Sequence, residues 1–583
     1  MELKYTDEKA VLLLIALLKE NGIKRVVVSP GTTNFTFVGS IQHDDYFQLY
    51  SCVDERSAAY MACGMATETG EPVVITCTGA TAPRNYLPGL TEAYYRKLPI
   101  LAVCGHRGVS AIGHLFDQQL DRRNEPVDVA RTQVWVPFVK DQEDEQLCYN
   151  EINKAIIALK QHGGGPAIIN LCTHYGANMS VQELPQVRKV NYFTYSEAMP
   201  ELPQGRIVIV LGSHKRFSEA ETKTIDAFCA SHDAVVFCDH TSGYYGKYAV
   251  HAGLLFGQEK CSDLVVVDLC VHAGEVSGDS MGGLRIWASE TWRISEDGEL
   301  RNRFNNTTAV FDMPLSAFCS NYIIENANHE DYLQSCKVAY NEIYSQIPEL
   351  PFSNVWMAKQ LAPRMPQGAS VYLGIYNSLR SWNLYDLPEG VEGQCNVGGF
   401  GIDGIMSSAV GRAICNPQRL TYCVLGDLSF FYDMNSLGNR HIGNNLRVLV
   451  INNGIGDEFR MNTSPAYIAL DEDVRPYVAA EGHFGTSDTD TIKAYTESLG
   501  YKYMRATSKN EFIHNMQEFV SEHSEKAIVF EVKVKKEDDT NAMDMIRHIV
   551  RRDEVKSLTK GVIRKFKAVI GEEKINAIKT LLK

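Results

Sequence analysis

The 583-residue sequence contains no apolar run approaching the roughly 20 residues that cross a bilayer. Its longest runs, such as Ile207–Leu211 and Leu264–Val267, have the length of strands. It has no C-x-x-C pair, and its fifteen cysteines are scattered. An odd, unclustered set points to reduced thiols in the cytosol rather than disulfides or a zinc site. Positive charge is in short supply, with 57 Lys and Arg against 71 Asp and Glu and a formal charge of −14. That balance argues against nucleic acid as a partner, since phosphate backbones are gripped by concentrated Lys and Arg. Low-complexity segments and short repeats are also missing. Val11–Leu18 follows mixed charges (Glu2, Lys4, Asp7, Glu8, Lys9) and ends without a small-residue cleavage site. It reads as an amphipathic helix, not a signal peptide. The expectation is a cytoplasmic protein with no transmembrane segment.

What is present is ordinary globular material, 45% hydrophobic and 22% charged. The length implies roughly three or four domains. Short β-rich runs (Arg25–Ser29, Val73–Cys77, Ile100–Cys104, Ala167–Leu171) alternate with helical stretches such as Ser57–Glu68 and Leu87–Tyr95. Such alternation marks a parallel α/β sheet. A polar, proline-bearing stretch at Gln182–Gln204 precedes a second α/β unit with strands Ile207–Leu211, Ala234–Cys238 and Leu264–Asp268. Ile347–Phe352 opens a third, with Ser370–Leu373, Thr421–Leu425 and Val448–Ile451. The expected fold is α/β, three doubly wound parallel-sheet domains at 1–185, 186–346 and 347–540, followed by a basic helical tail, 541–583. From Met545 to Lys583 there are 11 basic and 4 acidic residues, a net +7 that leaves −21 for the rest of the −14 total.

Two patterns carry chemistry. Gly426-Asp427-Leu428-Ser429 directly follows a buried strand, and about two dozen residues on another ends in Asn452-Asn453-Gly454. Gly426 lets the backbone come close to a ligand, while Asp427 and Asn453 offer hard oxygen donors of the kind Mg²⁺ takes when it bridges protein and diphosphate. Backbone N–H groups at the start of the next helix suit phosphates. The second pattern is Val53-Asp54-Glu55-Arg56-Ser57 at the start of a helix in the first unit. A carboxylate there is favoured by the helix dipole alone, so its significance rests on the distant motif.

With both motifs in this order on separate α/β units, the chain resembles the thiamine-diphosphate (ThDP)-dependent decarboxylases and carboligases over roughly residues 1 to 540. Within that superfamily it is most similar to the menaquinone-pathway synthases. The segments that carry the likeness are Val53–Arg56, Asn377-Ser378-Leu379, Gly401–Gly404 and Gly426–Ser429 with Tyr432-Asp433-Met434-Asn435. The resemblance implies a pyrimidine-binding domain first, a central domain, and a diphosphate-binding domain last. It implies Glu55 as the partner of the cofactor's N1′, in an apolar pocket that raises its pKa. It also implies Asp427, Asn453 and the Ile455 carbonyl as Mg²⁺ ligands, and Gly426, Ser429, Ser378 and Leu379 beside the diphosphate. Ile402 would be the apolar wedge under the bent cofactor and Phe459 an apolar wall. The implied reaction decarboxylates a 2-oxoacid and passes the acyl unit to an acceptor, in a site shared by two copies of the chain, so a homodimer or homotetramer.

The substrate positions depart from those synthases. Arg107 and Gln118 are in place, but Thr32-Thr33 stands for a Ser-Arg pair, and Val397 and Trp382 stand for arginines, with Arg380 two residues from the latter. Asp457-Glu458 replaces a neutral pair and adds negative charge beside the cofactor. A related carboligase or decarboxylase using a smaller 2-oxoacid such as pyruvate, with another acceptor (a sugar among them), is the alternative. A non-catalytic binding module of the same fold should have lost Glu55 or Asp427. His106, His214 and His272 are further candidates for acid–base roles. In the tail, Val562, Ile563, Phe566, Val569 and Ile570 recur at helical spacing among Arg564, Lys565 and Lys567. A basic amphipathic helix lies on an anionic membrane surface or docks on a partner; packing on its own oligomer is the plainer reading.

Overall fold

Runs of β-branched residues bounded by glycine and proline form strands buried along their length, as strands covered by helices on both sides must be. The computed structural model describes residues 4–258, 263–278, 286–482 and 489–550. The tail positions Val562 to Ile570 lie outside the described residues. Two compact units divide the chain, Met1–Glu201 with Glu290–Pro314, and Leu202–Ser289 with Leu315–Lys583.

In the first unit β1 (Arg25–Val28), β2 (Gln48–Ser51), β3 (Val73–Cys77), β4 (Ile100–His106), β5 (Thr132–Val136) and β6 (Ala167–Cys172) form one parallel sheet in the order β2-β1-β3-β4-β6-β5. Strand periodicity splits its core in two. Val26, Val74, Leu101 and Val103 pack with the helices Lys9–Glu20 and Gln142–Ala158. Their neighbours Val27, Val73, Ile75 and Ala102 face the helices Glu55–Thr69 and Leu87–Arg96. The order reverses between β1 and β3, so their carboxyl ends, Gly31-Thr32-Thr33 and Thr78-Gly79, border the crevice where such sheets bind ligands.

The middle of the chain adds β7 (Asn191–Thr194), β8 (Ile207–Leu211), β9 (Val235–Cys238), β10 (Ala249–His251), β11 (Val266–Ala273), β12 (Trp287–Ser295) and β13 (Thr307–Asp312). In the first unit β12, β13 and β7 pair in parallel; in the second the parallel order is β10-β9-β8-β11. The stretch 182–204 thus contains a strand, and the run expected at Leu264–Asp268 starts as a 3₁₀ turn and extends as a strand to Ala273.

The last sheet is also parallel: β14 (Ser370–Leu373), β15 (Glu392–Gln394), β16 (Thr421–Gly426), β17 (Leu446–Asn452), β18 (Lys502–Ala506) and β19 (Ile528–Lys533), ordered β15-β14-β16-β17-β19-β18. Its switch point lies between β14 and β16, which puts the ends of those strands at one crevice. The chain therefore builds three parallel α/β domains. Among the described residues no helix is long and apolar enough to cross a membrane.

Candidate active site

At the carboxyl edge of the last sheet lies a cavity of about 730 Å³, within the range of cofactor sites. β16 delivers Gly426 and Asp427 to it, β17 delivers Asn453, and the turn after β14 delivers Tyr376, Asn377 and Ser378. Ser429, Ile402, Ile455 and Phe459 line it as well, Phe459 being 41% exposed. Leu379 does not line the cavity; it is fully buried behind the turn, its N–H bonded to the Gly374 carbonyl at 2.9 Å. Ser429 Oγ donates to the Ile402 carbonyl, tying the two motif segments together. The loop after Asn453 turns at Gly454, whose φ of 73° suits glycine. Tyr376 holds φ 66°, ψ −112° without being glycine, the kind of strain found at ligand-binding loops.

The electrostatics of the cavity come from burial. Asp427 is 3% exposed, and burial pushes its carboxyl up to about 7 although main-chain N–H groups of Asp427, Leu428, Asn453 and Gly454 pull the other way. Among the described residues no ion pair involves Asp427. A buried carboxyl of this kind, with Asn453 lining the same cavity, fits a divalent cation, which would neutralise it where protein does not. Asp457 and Asp539 line the same cavity. Asp457 is raised well above the usual carboxylate range by burial and then by Asp539, and its Oδ1 has no hydrogen-bond partner. Burial pushes Asp539 up to about 6, and it accepts the N–H of Asn354.

Glu458 is bridged by Arg380, Nη1 to Oε2 at 2.8 Å and Nη2 to Oε1 at 3.3 Å. The sequence expectation that Asp457-Glu458 adds negative charge meets two opposing effects: burial disfavours the charged form of Asp457, and Glu458 is matched by a guanidinium.

The first unit carries the other motif. Glu55 opens the helix Glu55–Thr69 behind the N-cap Asp54, which accepts the Arg56 N–H at 3.0 Å. Its Oε2 accepts from Asn85 Nδ2 at 3.1 Å. The apolar pocket expected around Glu55 is not formed within this unit: the carboxylate is half-buried, and neighbouring Val53 is 75% exposed. Thr33 is buried, its Oγ1 accepting the Gly79 N–H at 2.7 Å and meeting Thr78 Oγ1 at 2.8 Å, whereas Thr32 is exposed. The fit is tight enough that a Cβ on Gly105 would stand 2.5 Å from the Thr33 carbonyl. Arg107 pairs with Asp117 at 2.8 Å and lies over the Tyr175 ring at 5.0 Å; Gln118 is exposed with φ 53°.

The histidines take structural parts. His106 Nδ1 accepts the Gly108 N–H at 2.8 Å, and its Nε2 lies 2.6 Å from the Gln119 side-chain amide nitrogen. His214 is half-buried and stacked on Phe217 at 4.2 Å, and His272 lies within β11. Burial, with Arg122 nearby, lowers His106 to about 4; burial, with His251 nearby, does the same to His240. Both must charge to unfold in acid. Their contribution is complete above about 6.5, the unfolded value, and is lost as pH falls from there towards 4, about 3 kcal/mol each. Melting temperatures measured from pH 7 to 4.5 should fall less steeply for His106→Gln than for the unsubstituted chain.

Residues that motif reading missed are Asn85 beside Glu55, and Asn354, Asp539 and Arg547 on the cavity wall. The N-cap pattern before Glu55 gave no hint of Asn85, and Asp539 lies beyond every motif.

Two nucleotide-like crevices, one with a helix-opening glutamate and one with a buried Gly-Asp turn, define a class. The family model described as "Thiamine pyrophosphate enzyme, N-terminal TPP binding domain" matches residues 9–124, and its C-terminal counterpart matches residues 391–532. The chain is a thiamine-diphosphate-dependent enzyme, with one binding domain in each unit. It is similar along most of its length to 2-succinyl-5-enolpyruvyl-6-hydroxy-3-cyclohexene-1-carboxylate synthases. Against that of Phocaeicola vulgatus it is 28% identical over 570 residues, 93% of this chain and 99% of the relative. Against that of Bacteroides thetaiotaomicron the identity is 28% over 569 residues, 94% and 100% of the two chains. The Desulfotalea psychrophila synthase is 26% identical over 482 residues, 76% of this chain and 85% of the relative.

Proposed function

We propose that this chain is a ThDP- and Mg²⁺-dependent synthase of the same kind as those relatives. It would decarboxylate 2-oxoglutarate and join the remaining acyl unit to isochorismate, within menaquinone biosynthesis. The observation that carries this reading is likeness to such synthases over 93% of the chain, with both TPP-binding domains in place.

Bound ThDP would supply a nucleophilic thiazolium carbon, with the positively charged ring serving as the electron sink for loss of CO₂. The chain's part is to hold and orient. Asp427 and Asn453, with the Ile455 carbonyl, hold Mg²⁺. Gly426 and Ser429, with Ser378 at the start of the helix Asn377–Trp382, receive the diphosphate, and buried Leu379 fixes that turn from behind. Ile402 and Phe459 are the apolar surfaces against the cofactor. Glu55 holds and shares the proton at N1′, and Asn85 fixes its carboxylate. Arg107, Gln118 and Thr32 face substrate from the first unit, Thr33 locking the turn that carries Thr32; Arg380 faces substrate from the second.

A homodimer is the smallest assembly this reading needs, a second copy completing the site and covering the exposed Val53, Tyr60, Met61 and Tyr95. It also completes the apolar surroundings of Glu55. A cytoplasmic location suits the cysteines, all free among the described residues.

The test is CO₂ release from 2-oxoglutarate, pyruvate and phosphonopyruvate, each with and without isochorismate. Release from 2-oxoglutarate with capture by isochorismate is expected. Release from pyruvate alone would overturn the substrate assignment while leaving the cofactor in place.

A further inference from the structure

Arg380 is 8% exposed, lines the same cavity as Asp427 and Asn453, and has its guanidinium fork filled by a carboxylate of the chain itself. Two parallel N–H···O contacts to one carboxylate are the geometry by which arginine recognises a carboxylate ligand. The two ends are held differently. Arg380 is fixed by Asn377 Oδ1 at 3.5 Å and Met461 Sδ at 3.1 Å, on a helix buried from Ser378 to Trp382. Glu458 rides on a short 3₁₀ turn, Asp457–Arg460, with its side chain 31% exposed. One partner is a fixture of the cavity wall, and the other can swing into solvent.

We propose that Arg380 is the residue that receives the donor's second carboxylate, the one remote from the 2-oxo carbon, and that Glu458 is a built-in carboxylate holding that place until the donor displaces it. The proposal rests on the reading of this cavity as a 2-oxoacid site and adds to it a specificity residue and its internal competitor. The arrangement keeps a buried guanidinium paired in the resting enzyme, which avoids the cost of an unmatched buried charge. It also taxes every donor by the strength of the pair it must replace. A donor with one carboxylate gains nothing from the exchange; a dicarboxylate swaps like for like.

The experiment uses holoenzyme loaded with ThDP and Mg²⁺ and unreactive probes, so it stands apart from turnover. Binding of glutarate and of pentanoate is measured by calorimetry for the unsubstituted enzyme, Glu458→Gln, Arg380→Gln and the double variant. Glu458→Gln should bind glutarate about tenfold tighter, Arg380→Gln about tenfold weaker, and the double variant should follow Arg380→Gln, with pentanoate changing less than about threefold throughout. ThDP affinity, measured alongside, should move less than about threefold. Unchanged or weaker glutarate binding in a folded Glu458→Gln enzyme would overturn the proposal. So would equal tightening of pentanoate, or an effect on ThDP affinity alone, which would make the fork a diphosphate contact. Because Glu458 is part-exposed, that variant keeps the test decisive even if Arg380→Gln fails to fold. If 2-oxoglutarate and isochorismate are not joined yet glutarate behaves as stated, the proposed overall reaction fails while the dicarboxylate site at Arg380 stands.

Discussion

Glutamine in place of Glu55 will lower turnover by about 10³-fold or more, while ThDP affinity in the presence of Mg²⁺ changes by less than about tenfold. The substitution is nearly isosteric, and its amide oxygen can still accept from Asn85 Nδ2, which lies 3.1 Å from the carboxylate today. Asp54 still caps the helix. The fold loses only a favourable charge at a helix N-terminus, about 0.3–1 kcal/mol. What disappears is a group that can give and take a proton. Steady-state CO₂ release and calorimetric ThDP binding separate the two effects. An active glutamine variant would sink the role assigned to Glu55.

Asp427→Asn should separate stability from function in the opposite sense. In the apo-protein, burial lifts Asp427 to about 7 from an ordinary value of 3.8. The protonated form is thus the one folding prefers. Below about pH 4 the group is neutral in both states and costs nothing. As pH rises from 4 to 7 the unfolded chain ionises and the folded one does not, and stability drains away, about 4 kcal/mol by pH 8. Asparagine removes this penalty, so the apo variant should melt several degrees higher at pH 8 and lose much of the pH slope. The same change removes the anionic ligand for the metal, so Mg²⁺ with ThDP, which should raise the melting temperature of the unsubstituted enzyme, should leave the variant's unmoved. Scanning calorimetry at pH 6 and pH 8, with and without both ligands, tests both halves. A variant stabilised by Mg²⁺ and ThDP as strongly as the unsubstituted chain would remove Asp427 from the metal site.

The parts of this molecule that could be read from the sequence are those encoded locally. Val73–Cys77 and Ile207–Leu211 are apolar along their length because helices cover both faces, so composition alone marks them as strands. Asn191–Thr194 went unseen because only Tyr192 of its four residues is buried, and its partner β13 lies more than a hundred residues away. The site divides in the same way. Gly426-Asp427 and Asn452-Asn453 each sit at the end of one strand, so a fixed spacing reports adjacent positions in the sheet. The charge at Asp457-Glu458 is not readable from the pair alone, because it depends on burial and on Arg380, 78 residues distant. Asp539 and Arg547 needed the whole domain to be folded before they had anything to face.

Those last two residues share the helix Asp538–Arg547, which is fastened to the segment 461–465 by Asn462 bonding to Asp544 and by Arg547 Nη1 donating to Thr463 Oγ1 at 3.1 Å. That segment is itself a wall of the cavity. The basic stretch starts at this helix. A shift of this helix is therefore delivered through two hydrogen bonds to the side of the cofactor chamber.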